Sequence, residues 1–435
     1  MKILIKNALI YPMTEEAAAR EEPCIRGNIA ISQGKISGVG QISDEEDFDK
    51  IIDGTDCVAI PGLVNTHTHG AMTLLRSYAD DMPLMDWLQK KIWPIENLMT
   101  DADIYWGTLL SIVEMIKSGT TTFADMYIMM DQVARAVDES GMRGVLARGM
   151  TGLGANGEKA LLESVDFIKN WQGKGEGRIT TMMGPHAPYT CPPDFLKKAL
   201  SYVEQLGVGI HIHLAETLTE VADIEKEYGK RPVALMDEVG LFQHHVLAAH
   251  VVHVNEQEIE LLADKKVKVA HNPQSNMKLA SGIAPVAQML KKGITVAIGT
   301  DGASSNNNLD MIEEMRTASF LQKVAAMDPT VLPAYQVLAM ATRNGADALN
   351  LTGEIGQIAV GKKADIILVD FHQPHLYPHH DAAAHLVYAA KGSDVKTVLI
   401  DGKVVMENRQ LLTLDEERIL YEAEKCTRRL VEQVN

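Results

Sequence analysis

Cysteine is scarce. The 435 residues hold four, Cys24, Cys57, Cys191 and Cys426, and none shares the Cys-x-x-Cys spacing of a metal or redox site. Scattered like this, they read as reduced thiols of a cytoplasmic protein, not as a disulfide frame. Runs of lysine or arginine are also missing, and the formal net charge is −17. That argues against a nucleic-acid surface and against an anionic membrane as partner. A single arginine can still hold a small acid. No apolar run approaches the ~20 residues needed to span a bilayer. The opening Met1-Lys2-Ile3-Leu4-Ile5-Lys6 is a short strand pattern without a signal-peptide core. Nor is there an early glycine-rich phosphate loop, which an open dinucleotide-type sheet would want.

What is present is ample core. Hydrophobic residues make up 46% of the chain, whose length exceeds one ordinary domain but suits an α/β barrel with additions. The 22 methionines are scattered and read as core packing. Short strand patterns open the chain at Ile3–Ile10, Asn28–Ser32, Lys35–Val39 and Cys57–Ile60, with Gln33-Gly34 and Asp53-Gly54 as hairpin-type turns. Similar strands recur at Ala364–Asp370, Val395–Ile400 and Lys403–Met406, with Asp401-Gly402 as a turn. Neither set buries a two-sided sheet alone, so the two are expected to join as one small β-sandwich domain, residues 1–58 plus 358–435. Glu416–Glu432 closes it as an amphipathic helix with Ile419, Leu420, Ala423 and Leu430 on its apolar face.

Between these ends, residues 59–357 alternate apolar runs with helical patterns. The runs are Leu63–His67, Thr121–Asp125, Gly144–Arg148, Ile179–Gly184, Val208–His213, Val246–His250, Val267–His271 and Thr295–Gly299. Eight buried parallel strands predict a (β/α)₈ TIM-type barrel, an α/β fold whose site lies at the C-terminal strand ends. The reactive side chains gather there. His67 and His69 are two apart, on one side of one strand end. His213 closes the fifth strand, His250 the sixth, and Asp301 follows the eighth. Three imidazoles (His67, His69, His213) and the Asp301 carboxylate suit one divalent ion, zinc or ferrous iron, with a position left for water.

Pro61-Gly62-Leu63-Val64-Asn65-Thr66-His67-Thr68-His69, His213-Leu214-Ala215-Glu216 and Gly299-Thr300-Asp301-Gly302 resemble the amidohydrolase superfamily, in its mononuclear aminohydrolase branch. Trp93-Pro94-Ile95-Glu96, Gly184-Pro185-His186-Ala187-Pro188-Tyr189, Ala249-His250-Val251-Val252-His253 and His271-Asn272-Pro273-Gln274-Ser275-Asn276 are similar to the 5-methylthioadenosine/S-adenosylhomocysteine deaminases. The resemblance covers nearly the whole chain. It implies hydrolytic deamination of a small-molecule thioether nucleoside, or adenosine itself, at the amino-bearing purine carbon.

By residue type, the metal would acidify a water and Asp301 would accept a proton from it. Glu216, three residues beyond His213, is a second proton carrier; the resemblance implies that it protonates the ring nitrogen. His250 would hold the developing hydroxyl group. The resemblance further implies that Glu96 accepts from the ribose hydroxyls, that His186 contacts the same side, and that Arg148 lies over the substrate's tail carboxylate. Many relatives carry another arginine in the following loop, and Thr151–Lys159 has none. Met82, Leu84, Met85 and Trp87 are candidates for an apolar lid, or ordinary core.

Sibling aminohydrolases acting on guanine, a pyrimidine or a triazine would leave Glu96 without a ribose to bind. A binuclear cyclic-amide hydrolase would want a lysine where Gly184-Pro185-His186 stands. A silent scaffold barrel would be expected to have lost a ligand, and all are present. The His-x-Glu with Pro-Cys-x-x-Cys signature of cytidine-type enzymes is absent. His372, His375, His379, His380 and His385 lack a ligand spacing and read as loop residues facing solvent. Exposed outer helices leave a homo-oligomer open.

Overall fold

The computed structural model describes residues 1–42, 47–154 and 156–434. Its strands fall into two sheets. The first draws on both chain ends: β1 (Lys2–Ile10), β2 (Ile25–Ser32), β3 (Lys35–Gly40), β4 (Lys50–Asp53) and β5 (Cys57–Pro61) join the late strands β14 (Ile366–Asp370), β15 (Val395–Ile400), β16 (Lys403–Glu407) and β17 (Gln410–Leu411). The order is β17-β16-β15-β14-β5-β1-β2-β3, with β4 beside β1. Antiparallel pairing of β5 with β14 stitches the two ends together, Pro61 opposite Ile366 and Cys57 opposite Asp370.

Two of the expected turns form as tight hairpins. Gln33 and Gly34 lie at φ +52° and +77°, Asp401 and Gly402 at +51° and +71°. These are the left-handed conformations a two-residue hairpin requires. The two tips meet: Ala364 N–H donates to Gly34 O (2.9 Å) and Gly402 N–H to Ala364 O (3.1 Å). The sheet therefore curls over itself, and Ile3, Ile5, Ile31 and Ile36 share one core with Ile366, Leu368 and Leu399. Asp53-Gly54 is not a hairpin. β4 and β5 both run parallel to β1, at Ile3–Lys6 and Leu9–Ile10, and the chain steps between them past the bulge in β1 at Asn7. The reading from sequence missed β4 and β17.

The second sheet holds the eight expected strands in sequence order, all parallel: β6 (Leu63–Thr68), β7 (Thr120–Tyr127), β8 (Arg143–Met150), β9 (Ile179–Pro185), β10 (Gly209–Leu214), β11 (Val246–His250), β12 (Lys268–His271) and β13 (Val296–Ile298). Alternate residues point inward. Val64, Ala124, Met126, Val145, Ala147, Met182, Leu247, Ala270 and Ala297 fill the lumen, and the many alanines suit a narrow interior. Helices that separate or follow the strands include α1 (Asp101–Lys117), α2 (Met130–Ser140), α3 (Gly157–Trp171), α4 (Pro193–Leu206), α5 (Leu218–Tyr228), α6 (Pro232–Val239), α7 (Glu256–Asp264), α8 (Val286–Lys291) and α9 (Met311–Ala326).

Helix α10 (Glu416–Val434) returns against α1. Its buried face is Ile419, Ala423, Cys426 and Leu430; Leu420, expected on that face, is half exposed. Residue 420 lies one position beyond Ile419, and a step of one turns about 100° around a helix. Among the described residues no helix is long and apolar enough to cross a membrane.

A buried ion pair locks the sheets together. Arg143 of β8 donates from Nε and Nη2 to the two oxygens of Asp365 (2.9 and 3.0 Å), and Asp401 N–H adds a third bond (2.7 Å). Both side chains are almost wholly buried. Replacing Asp365 with alanine strands the guanidinium. Urea denaturation should show a loss of about 3–5 kcal/mol.

Candidate metal centre and active site

Donor atoms converge at the C-terminal mouth of the barrel in two overlapping groups, His67 with His69 and His213, and His67 with His250 and Asp301, each with its atoms within 4.8 Å of one another. Asp301 Oδ1 lies 3.4 Å from His67 Nε2 and 3.2 Å from His69 Nε2, and His213 Nε2 lies 3.3 Å from His69 Nε2. A tetrahedral shell with bonds of about 2.0–2.1 Å separates its donors by about 3.3–3.4 Å. The tautomers agree. His69 Nδ1 donates to Met126 O (2.6 Å) and His213 Nδ1 to His186 O (2.7 Å), while His67 Nδ1 meets His211 Nε2 at 2.8 Å. With the Nδ1 positions so engaged, the Nε2 lone pairs face one another, and buried His67 Nε2 has no hydrogen-bond partner. Lone pairs crowded together in this way fit a divalent cation and little else.

Electrostatics agree with that fit. Burial pushes the His67 imidazole down to about 4 and holds His213 and His211 well below the usual histidine range, so all three stay neutral, the metal-binding form. Burial would also lower His69, but the Asp301 hydrogen bond and charge bring it up to about 9. Burial would raise Asp301, yet the facing imidazoles of His67 and His69 keep its carboxyl well below the ordinary range. The proton on His69 that faces Asp301 is the one a cation would displace.

Local backbone geometry aims these groups. Asp301 lies at φ +63°, Ala215 at +52°, and His250 and Val251 at +72° and +48°. Such left-handed non-glycine residues persist where surrounding structure holds them, commonly at functional sites. Behind Asp301, Oδ2 accepts from Ser275 Oγ (2.6 Å) and Ser305 Oγ (3.0 Å). Asp125 anchors the turn after β6 by accepting from Thr68 Oγ1 (2.8 Å) and Gly70 N–H (2.7 Å). At position 299 a Cβ would meet Asn272 Oδ1 at 2.5 Å and His67 N at 2.8 Å, so the close approach requires glycine.

The metal cluster opens into a cavity of about 200 Å³. Glu216 and His250 border it, with Glu216 Oε2 3.9 Å from His250 Nε2. Burial raises the Glu216 carboxyl above its ordinary value. His250 Nδ1 is 2.8 Å from Asn276 Oδ1. Glu96 reaches the cavity from the insertion after β6 and accepts from Tyr127 Oη (2.6 Å). Burial raises its carboxyl, against the pull of that bond. His186 lines the same wall, with Thr190 Oγ1 2.9 Å from its Nδ1.

Arg148 stands apart from these groups. Its neighbours Ala147 and Gly149 face the lumen and the cavity, so alternation turns Arg148 outward, where Nη2 meets Glu163 Oε2 of α3 at 2.6 Å. It does not border the cavity, contrary to the expected contact with a substrate tail. Of the lid candidates, Leu84 and Trp87 line the cavity; Met82 and Met85 do not. The late histidines hydrogen-bond locally, His375 to Asp394 (2.8 Å) and His385 to Pro378 O (2.8 Å), and group into no metal cluster among the described residues.

Several supporting residues escaped the sequence reading. His211 was open to detection: it sits two before His213, on the same strand face. Asp125, Tyr127 and Ser275 carry no local signal, because their partners are distant in sequence; Glu220 does have one, in the capping-box pattern it closes with Thr217.

An eight-stranded parallel barrel with three imidazoles and a carboxylate at its strand ends is the framework of a barrel hydrolase. Residues 58–405 match the Amidohydrolase family, and the chain belongs to it. It is 56% identical over 437 residues, all of both chains, to the 5-methylthioadenosine/S-adenosylhomocysteine deaminase of Desulforudis audaxviator. It is 55% identical to the protein of that name from Syntrophomonas wolfei, over 99% of this chain and all of that one. Among solved structures, an adenosine deaminase from Xanthomonas campestris with bound zinc superposes with a TM-score of 0.93 at 35% identity, covering 99% of this chain and 98% of that one. A zinc-complexed atrazine chlorohydrolase from Arthrobacter aurescens, at 24% identity and a TM-score of 0.90 over 98% and 100% of the two chains, shares the fold.

Because His211 fixes the His67 ring, His211→Leu should weaken metal binding about 10–100-fold in chelator competition. Asp301→Ala should lose the ion on dialysis, read by elemental analysis.

Proposed function

We propose that the chain is a metal-dependent deaminase of 5′-methylthioadenosine and S-adenosylhomocysteine, with adenosine a further substrate, releasing the inosine analogue and ammonia. The observation that carries it is the meeting of the four-donor cluster, Glu216 and Glu96 in one cavity. Support comes from the full-length likeness to relatives of that name at 54–56% identity. Residues 59–357 act as the catalytic barrel; residues 1–58 and 358–435 act as the composite β domain. Four unpaired thiols support a cytoplasmic setting.

His67, His69, His213 and Asp301 hold one divalent ion, preferentially zinc, with ferrous iron the alternative. When bound, such an ion acidifies water and so supplies the nucleophile near neutral pH. Asp301 accepts a proton from the attacking water. Glu216, whose carboxyl is raised by burial, delivers a proton to the ring nitrogen beside the amino-bearing carbon and assists ammonia's departure. His250 hydrogen-bonds the developing hydroxyl group. Tyr127 occupies one oxygen of Glu96 and leaves acceptor capacity for the ribose diol, with His186 on the same side of the sugar.

Arg148 would have to leave Glu163 to reach a tail carboxylate. Among the described residues, no lysine or arginine borders the cavity. Both points favour the uncharged methylthio tail over the zwitterionic homocysteine tail.

Metal-replete protein should shift the adenine spectrum to that of hypoxanthine with at least one of the three nucleosides; no change with any of them overturns the assignment. Glu216→Gln should lower kcat about 10²–10⁴-fold. Glu96→Ala should raise KM tenfold or more, roughly the worth of one charge-assisted hydrogen bond, while kcat falls less.

A further inference from the structure

Thr217-Leu218-Thr219-Glu220 has the sequence of a capping box, in which the fourth residue's carboxylate folds back onto the N–H of the first. Half of that box forms. Thr217 starts α5, and its hydroxyl accepts from Glu220 N–H (3.1 Å). The other half is diverted. The Glu220 carboxylate passes Thr217 and takes Ala215 N–H on Oε1 (2.9 Å) and Glu216 N–H on Oε2 (2.8 Å). Glu220 is only 4% exposed, so a buried acid is spent on two backbone donors in the turn that carries Glu216.

That turn is unusual in itself. Ala215 lies in the left-handed region, and its carbonyl accepts from both Val252 N–H (3.0 Å) and His253 N–H (2.9 Å). Leu214 O accepts from Val251 N–H (3.0 Å). One face of the turn is thus tied to the loop after His250, and the opposite, N–H face is held by Glu220. Ser281 Oγ then donates to Glu216 Oε1 (3.2 Å).

We propose that Glu220 is a positioning residue: its carboxylate grips the two amides of the Ala215–Glu216 turn and so fixes where the Glu216 carboxylate meets the substrate ring. This rests on Glu216 being the proton carrier. The chemistry requires a carboxylate in particular. Both its oxygens accept, whereas a glutamine would satisfy one amide and set its own NH₂ against the other. Burial pushes the Glu220 carboxyl up to about 7, and the hydrogen bonds from the Ala215 and Glu216 amides pull against that rise in favour of the carboxylate.

Glu220→Gln in the metal-replete full chain tests this. The variant should keep its full metal content and a KM for methylthioadenosine within about threefold of the parent. Its kcat should fall about 10–100-fold, the scale of a small misplacement of a catalytic group, and the pH–rate limb set by Glu216 should shift. Thr217→Ala, which removes only the helix cap, should lower Tm and leave kcat unchanged.

Parent-level kcat in Glu220→Gln, whatever its Tm, overturns the proposal, as does a kcat loss that only tracks lost metal. Should Glu220→Gln fail to fold, amide exchange of the parent over residues 214–217 decides. Slow exchange supports the clamp; exchange at the rate of an exposed loop overturns it. If the parent deaminates none of the three nucleosides, the proposed activity fails, whereas amide exchange still reports on the clamp.

Discussion

The eighth barrel strand is joined to the first as much by side chains as by backbone. Asp301 N–H donates to His67 O (2.9 Å), Thr66 Oγ1 to Ile298 O (2.9 Å), and Asn65 and Thr300 bond each other twice (2.7 and 3.0 Å). This seam carries both ends of the metal cluster. The amide of one ligand is bonded to the carbonyl of another, so residues more than two hundred positions apart meet whenever the barrel closes. Every other site group, from Glu96 to His250, is positioned relative to that junction.

Around it, burial has opposite effects on the two kinds of titrating group. It keeps the imidazoles of His67, His211 and His213 neutral, and it raises the carboxyls of Glu96 and Glu216. Asp301 alone among these acids is driven the other way, because two imidazoles face it. One enclosed mouth therefore holds a charged carboxylate for a cation beside others inclined to keep a proton. That division of labour comes from neighbours, not from residue type.

The barrel strands were legible because buried parallel strands are continuous apolar runs, and the ligands because histidines and an aspartate stood where those runs stopped. What stayed hidden depended on partners far away. β4 is four residues long and is defined only by lying beside β1. Asp53-Gly54 carried a hairpin signal, but a bulge in the neighbouring strand turned it into a step. Arg148 sat at the expected strand end, yet strand alternation sent its side chain to the helix side, where Glu163 waits. Leu420 read as core because an apolar residue beside Ile419 looks like part of one stripe, while the helix turns it outward.

The pairing of β5 with β14 also dictates an order of events during synthesis. β1 to β5 emerge early, but β5 cannot find its neighbour until some 300 further residues have been made. At ribosomal speeds of about 5–20 residues per second, that is a wait of roughly 15–60 s. Meanwhile the edge of β5 has unsatisfied backbone groups, and the oily faces of Ile3, Ile5 and Ile31 lack half their cover. The barrel has time to close first. The nascent amino-terminal segment thus stays half covered until the carboxyl end arrives.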